Sequence, residues 1–334
     1  MDERKVRENG IMRDKSTVTL WTQVKTCWNA FFFSRLDARP IALFRITIGV
    51  LSTFMILFSA PNWNRFFHAD GIISLHSPGL DNTRVNDPIG LFYWTEGWIP
   101  IEAMWYVSLI TSITFTVGYY SRVSTVCLLL LIRSMLSRNP YLANGEEMVI
   151  EMSLFYMIWV NMGSAYSIDS WIANRKGKPL AQTVFAWPVR MLQINIALIY
   201  VISLPYKLAQ DPGWVTGDAF HWTVASDMWG PSEHPWITLA FGGLLRKIIT
   251  FSTVFIEAFF PTFVWFRRTR LLAIFLISSL HLGIAILVPN VTYFTLAMNC
   301  CFLVFLTGRD IELIEKNIAM MTRAEPLVAG PTTV

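Results

Sequence analysis

The chain has 334 residues, of which 54% are hydrophobic and 15% charged, and it carries 14 Trp and 24 Phe. Soluble domains hold about a quarter charged residues, so this composition excludes an ordinary water-soluble fold and points to a multi-pass helical membrane protein. A net charge of +4 spread over loops gives no case for a nucleic-acid partner, and Cys27, Cys127, Cys300 and Cys301 show no paired spacing, so neither a metal site nor a disulfide framework is expected.

The first forty residues are charged and lack a smooth apolar run, so no cleavable signal peptide is expected. Within them Leu20, Trp21, Val24, Trp28, Phe31 and Phe32 recur at helical spacing beside Lys25 and Arg35, which predicts an amphipathic helix lying in the membrane interface. Eight apolar segments follow: 41–59, 103–118, 121–136, 146–165, 187–206, 248–266, 271–288 and 291–307. The predicted fold is an all-α membrane protein, a polytopic bundle of about eight transmembrane helices. Residues 1–40 form a cytoplasmic segment with the interfacial helix, 41–307 the membrane domain and 308–334 a cytoplasmic tail, disordered from Ala324 onward.

Placing both termini inside puts 18 of the 27 Lys and Arg in cytoplasmic connections, as the positive-inside rule requires. The two long outer segments, 60–102 and 207–247, are Trp-rich and carry Asp70, Asp81, Asp87, Glu96, Asp211, Asp218, Asp227 and Glu233. The expected localisation is a bacterial plasma membrane.

Ionisable residues within spans are costly and mark functional positions or structural pairs. Here they are Arg45, Arg133, Glu151, Lys207, Glu257 and His281. At a rise of about 1.5 Å per residue, Lys207 falls at the outer edge and Glu257 roughly 13 Å deeper, with Arg133, Glu151 and His281 between them. Only Arg45 falls in the inner half, so the other five are expected to line one cavity opening outward. In the turn after the third span, Arg138-Asn139-Pro140 and Asn144-Gly145-Glu146-Glu147 either close a hydrogen-bonded corner or contact a ligand. Lys207, in Leu204-Pro205-Tyr206-Lys207-Leu208, is either a base at the lip of an apolar bundle or a lysine snorkelling to the interface.

Taken in order, Ala42-Leu43-Phe44-Arg45, Arg133-Ser134, Arg138-Asn139-Pro140, Asn144-Gly145-Glu146, Ser167-Ile168-Asp169, Lys207-Leu208 with Trp214 and Gly217, Glu257 with Phe260-Pro261, and His281-Leu282-Gly283 form a pattern that resembles the HTTM family. This membrane domain is shared with vitamin K-dependent gamma-glutamyl carboxylases, and the resemblance runs from about residue 36 to 307. It implies a lysine, here Lys207, that deprotonates reduced vitamin K or another quinol. The quinol then reacts with oxygen, and the resulting strong base removes a proton from a peptidyl glutamate, whose carbanion captures carbon dioxide. It further implies Arg133, Arg138, Asn139, Asn144, Glu146, Trp214, Glu257 and His281 as substrate- or cofactor-binding residues, with a quinone drawn from the bilayer and a peptide or protein substrate on the outer side. The carboxylases carry a large extracytoplasmic region after their spans, whereas this chain ends soon after the eighth, so propeptide recruitment of that kind is not expected. The alternative is a non-enzymatic membrane immunity or maturation partner that binds a peptide through its outer loops. A transporter is weakened by the lack of an inverted repeat.

Overall fold

The computed structural model describes residues 20–72, 90–95, 97–139, 142, 145–226, 228–230 and 242–323. Pro140, Asn144, the acidic positions Asp81, Asp87, Glu96, Asp227 and Glu233, and the tail from Ala324 lie outside the described residues.

Helix α1 (Leu20–Phe32) has no buried residue. Leu20 and Trp21 are 77% and 75% exposed, while Phe31 turns inward to within 5.8 Å of Trp265 and lies under the Arg190 guanidinium. Next, β1 (Arg35–Asp37) pairs antiparallel with β2 (Thr183–Phe185), Leu36 opposite Val184. This ribbon corrects the all-helical expectation. Three residues per strand give too little alternation to be legible in the sequence.

The helices follow in order: α2 (Ala38–Ser59), α3 (Trp63–Phe67), α4 (Leu91–Trp94), α5 (Ile101–Val117), α6 (Ser121–Arg138), α7 (Gly145–Met157) and α8 (Ile168–Arg175). After β2 come α9 (Ala186–Gln210), α10 (Gly213–Thr216), α11 (Ala219–Ala225), α12 (Gly243–Phe263), α13 (Arg270–Leu287), α14 (Thr292–Phe302) and α15 (Gly308–Arg323). Two rings of helices share α7 and α14. In one, α2 packs on α5 and α14, α5 on α6, and α6 on α7; in the other, α9 packs on α7 and α12, α12 on α13, and α13 on α14. Small residues bring α2 and α5 close: a Cβ at Gly49 would collide with Thr116 Oγ1, and Thr53 donates to Ser112 Oγ at 3.1 Å.

Every expected segment overlaps a helix, but length and composition single out fewer of them. Ala38–Phe67, Ala186–Gln210 and Arg270–Leu287 are long and apolar enough to cross a membrane, and a fourth span follows if Pro289–Phe305 and Gly308–Met320, bent by 105°, count as one. Ile101–Val117 is apolar but shorter, Ser121–Arg138 and Gly243–Phe263 each carry three charges, and Gly145–Met157 has only 13 residues.

The expected segment 146–165 is too long, because α7 stops at Met157. Beyond it the backbone folds around the fully buried Arg45. The guanidinium donates to the carbonyls of Met162 at 2.5 Å, Tyr166 at 2.5 Å and Ala165 at 3.4 Å. Those carbonyls face a cation instead of continuing the helix. Gly118, at φ 69°, ends α5 against the same guanidinium, where a Cβ would sit 2.7 Å from a nitrogen.

Residues 308–323, expected as tail, form an amphipathic helix tied back to the bundle. Arg39 joins Asp37 at 2.7 Å, Glu312 at 3.1 Å and Glu315 at 3.4 Å, and Arg270 meets Asp310 at 3.5 Å. Asp37 also caps α2 by accepting from Arg39 N at 2.8 Å, and Gly308 lies against its carboxylate. The hydrogen bonds from Arg39 hold the Asp37 carboxyl below the usual aspartate range. A lowered carboxyl stabilises the fold above its ordinary range, and that contribution is lost as pH falls through and below about 4. The protection factors of the α15 amides, exchange measured relative to an unstructured peptide at the same pH, should therefore fall from pH 6 to pH 3, and Asp37→Asn should flatten this dependence. Equal pH profiles for the two proteins would dissociate the corner from Asp37.

Candidate functional site

Helix α9 carries Lys207 close to its C-terminal end, and the next residues form a tight return. The Asp211 amide donates to the Lys207 carbonyl at 3.1 Å, and Asp211 Oδ1 accepts from Gly213 N at 2.8 Å, starting α10. Gly217, at φ 89°, ends α10 in the left-handed region that favours glycine. This return folds Trp214 beneath the lysine, with Nζ 5.1 Å from the ring centre, a cation–π distance.

From α12, Thr250, Thr253, Glu257 and Phe260 form the buried stripe. Spacings of three and four put them on one face. Glu257 points along that stripe to Lys207, whose Nζ donates to Oε1 at 2.6 Å and Oε2 at 2.8 Å. The carboxylate side chain is 6% exposed and the lysine 30%, so the pair is closed on the Glu257 side and open on the other. A shielded carboxylate of this kind needs a partner, because an uncompensated charge there would be expensive.

The open side of Lys207 faces a cavity of about 530 Å³ between the end of α9, the α10–α11 return, α12 and α13. Trp214, Phe220, Ile249, Ile284 and Leu287 form much of its wall, with Thr223, Thr250 and Thr253 as hydroxyls; among the described residues Lys207 is the one charged group lining it. The volume and the mainly apolar lining with a few polar points fit a small-molecule site.

His281 belongs to the stripe Ala273, Ile277, His281 on α13 and is buried behind this cavity. Its Nε2 is 2.8 Å from the Tyr200 hydroxyl, and its Nδ1 is buried with no hydrogen-bond partner among the described residues. Phe260 and Phe302 pack around the Tyr200 ring at 5.2 and 6.4 Å. Tyr200 is the residue sequence reasoning missed, although it lies two helical turns before Lys207 and so on the same face of α9.

Thus Lys207, Trp214 and Glu257 are in direct contact, with His281 nearby. The expectation of one cavity for all the ionisable groups is corrected. Arg133 pairs with Glu151 at 3.7 Å on a separate cleft of about 430 Å³ between α6 and α7. Arg138 is buried and donates to the His68 carbonyl, and Asn139 Nδ2 donates to Phe66 O at 3.2 Å, so both fasten α3 to the end of α6. Arg138 also lines a third cavity of about 320 Å³ with Phe92 and Trp98. Glu146 is half-buried in the first turn of α7, outside the lysine cavity. The reason is topological: α6 belongs only to the first ring and α7 is shared by both, whereas the lysine cavity is built by α9, α12 and α13, which belong only to the second. Among the described residues no group of three His, Cys, Asp or Glu could hold a metal ion.

No curated protein and no solved structure matches the chain. A protein-family model, the HTTM domain, matches residues 83–308 and so includes Arg133, Arg138, Lys207, Trp214, Glu257 and His281. HTTM domains are found in vitamin K-dependent carboxylase-type proteins. With more than half its length inside that match, the chain is a membrane protein of the HTTM family.

Proposed function

We propose that the protein is a quinol-dependent membrane enzyme of the vitamin K-dependent carboxylase type, with Lys207 as its base. The observation that carries this reading is the placement of Lys207 as the charged group on an apolar cavity of about 530 Å³, backed by Glu257. The cavity's volume and aromatic wall suit a quinone ring, and its one amine suits a ring hydroxyl. When bound, the reduced quinone supplies, with oxygen, the strong base that takes a proton from a substrate carbon; carbon dioxide is the co-substrate if the product is a carboxylated peptidyl glutamate.

The chain's own part is proton handling. To accept a proton from a ligand hydroxyl, the Lys207 amine must first release one, and the Glu257 carboxylate, bonded to Nζ through both oxygens, is placed to hold it. Trp214 covers the amine and limits water around it. Arg133 and Glu146 are assigned to peptide or co-substrate contacts away from the cavity, Arg138 and Asn139 to fastening α3 to the end of α6, and His281 with Tyr200 to support behind the cavity. The test is oxidation of reduced quinone under oxygen by the purified protein, compared with Lys207→Arg. An equal rate would remove the reading and leave the peptide-binding partner as its replacement.

The same proposal includes eight spans with both termini cytoplasmic. Helices α2, α5, α6, α7, α9, α12, α13 and α14 correspond to the eight apolar segments. The two shortest, α7 and α14, are the ones shared by both rings, so each packs on helices of both. In a background without the four native cysteines, a cysteine near Asp218 should react with an impermeant reagent in intact cells and one near Lys176 should not. Reaction at Lys176 would overturn the orientation.

A further inference from the structure

At the end of the bundle where α5 turns into α6, a cleft of about 630 Å³ lies against α8 and the loop after it. Arg122, Lys176 and Lys178 line it. All three are exposed, and none has a carboxylate within 4.0 Å among the described residues. Three like-signed charges on the wall of one cleft, with no carboxylate paired to them among the described residues, make that wall attractive to an anion.

The cleft's one carboxylate, Asp169, is already engaged. It accepts from Tyr120 N at 2.9 Å, Ser121 N at 2.8 Å and Ser121 Oγ at 2.6 Å, capping the start of α6. It holds the α5–α6 corner together and leaves the cleft lining with two positive charges in excess.

The remainder of the wall is mixed: Ser121 and Asn161 are polar, and aromatic and aliphatic side chains supply the rest. Tyr120, in the turn between α5 and α6, and Val123, in the first turn of α6, are 66% and 60% exposed, and Tyr119, Ile172, Ala173 and Leu180 add further aromatic and aliphatic surface. Aromatic rings beside cations mark the headgroup level of a bilayer. A free phosphate would use only the cations, whereas a phospholipid would use the apolar part of the wall as well.

We propose that this cleft binds the phosphate of an anionic membrane lipid, through Arg122, Lys176 and Lys178, with an acyl chain along Val123 and Ile172. The site is separate from the Lys207 cavity and does not depend on the proposed enzyme activity. Each cation near an anionic lipid surface is worth about 1 kcal/mol, so removing three should lower binding on the order of a hundredfold.

The experiment uses the full chain in nanodiscs of phosphatidylglycerol and phosphatidylcholine, with retained lipid quantified by mass spectrometry. Wild type should retain phosphatidylglycerol over phosphatidylcholine. R122Q/K176Q/K178Q, with an unchanged melting midpoint, should lose that preference, and inorganic phosphate should not displace the lipid from wild type. Arg175→Gln, whose guanidinium stacks 4.0 Å over Trp171 outside the cleft lining, should keep it. Should the triple variant fail to fold, Lys176→Gln alone, in the exposed loop, should weaken retention about fivefold. An undiminished preference in the folded variants, equal loss in Arg175→Gln, or displacement by inorganic phosphate would each overturn the proposal, the last by showing a free-anion site.

Discussion

Lys207→Arg should retain the fold and lose quinol oxidation by at least about a hundredfold, the lower bound for removing a positioned general base. Arginine preserves what the structure needs at this position. Its guanidinium can still engage both Glu257 oxygens, now bonded to Nζ at 2.6 and 2.8 Å, and can still stack on Trp214. It cannot give up its proton, so it cannot take one from a ligand hydroxyl. The melting midpoint separates the two roles: a lysine that only neutralises Glu257 or snorkels to the interface is replaced by arginine without loss of rate. Lys207→Ala leaves Glu257 without its cation, so lower stability there is expected and is not diagnostic. Partial recovery of the Lys207→Ala rate by added small amines is diagnostic, because an amine in the vacated space restores a base and not a side chain. Full activity in Lys207→Arg would sink the enzyme reading.

The sequence carried the helical character and the identity of the important ionisable groups, because burying charge among apolar residues leaves a visible mark in one dimension. Lys207, Glu257, Arg45 and His281 all stood out that way. It did not carry their pairing. Counting depth from segment ends placed Lys207 at the outer edge and Glu257 roughly 13 Å deeper, yet they are in contact. Helix α9 runs on to Gln210, past the expected end at 206, which puts Lys207 about 4–5 Å deeper than counted; α12 begins at Gly243 instead of 248, which by the same count would put Glu257 deeper still, so helix ends are not a common zero of depth for two neighbouring spans. A lysine also reaches several ångströms back along its helix, which a count of Cα positions ignores. The splitting of the candidate residues between two rings was illegible for another reason. Nothing in a run of apolar helices states which neighbour each one packs on, and only α7 and α14, the short central pair, are unusual in length. The ribbon of β1 and β2 and the helix α15 escaped notice because three-residue strands carry no readable period and α15 is too polar to register as a span.

The largest loss of stability is expected at Arg45, whose guanidinium is fully buried and holds three backbone carbonyls. Arg45→Met fills much of the same volume with an unbranched apolar chain, so packing changes little. What it removes is the set of donors to Met162, Ala165 and Tyr166, whose carbonyls face inward because α7 has already ended. A buried acceptor left without a donor costs about 1–3 kcal/mol, which puts the total on the order of 3–5 kcal/mol after partial relaxation. Arg45→Lys supplies a single, shorter point donor and should recover part of that, since one ammonium cannot span carbonyls that two guanidinium nitrogens now divide. Unfolding monitored by tryptophan fluorescence in detergent would measure both. The surviving folded fraction of Arg45→Met should keep its specific activity within a few-fold, because Arg45 lies outside the Lys207 cavity lining. If Arg45→Met unfolded with the wild-type midpoint, the wrapped segment 158–167 would owe its shape to something other than this cation, and a functional role for Arg45 would gain ground.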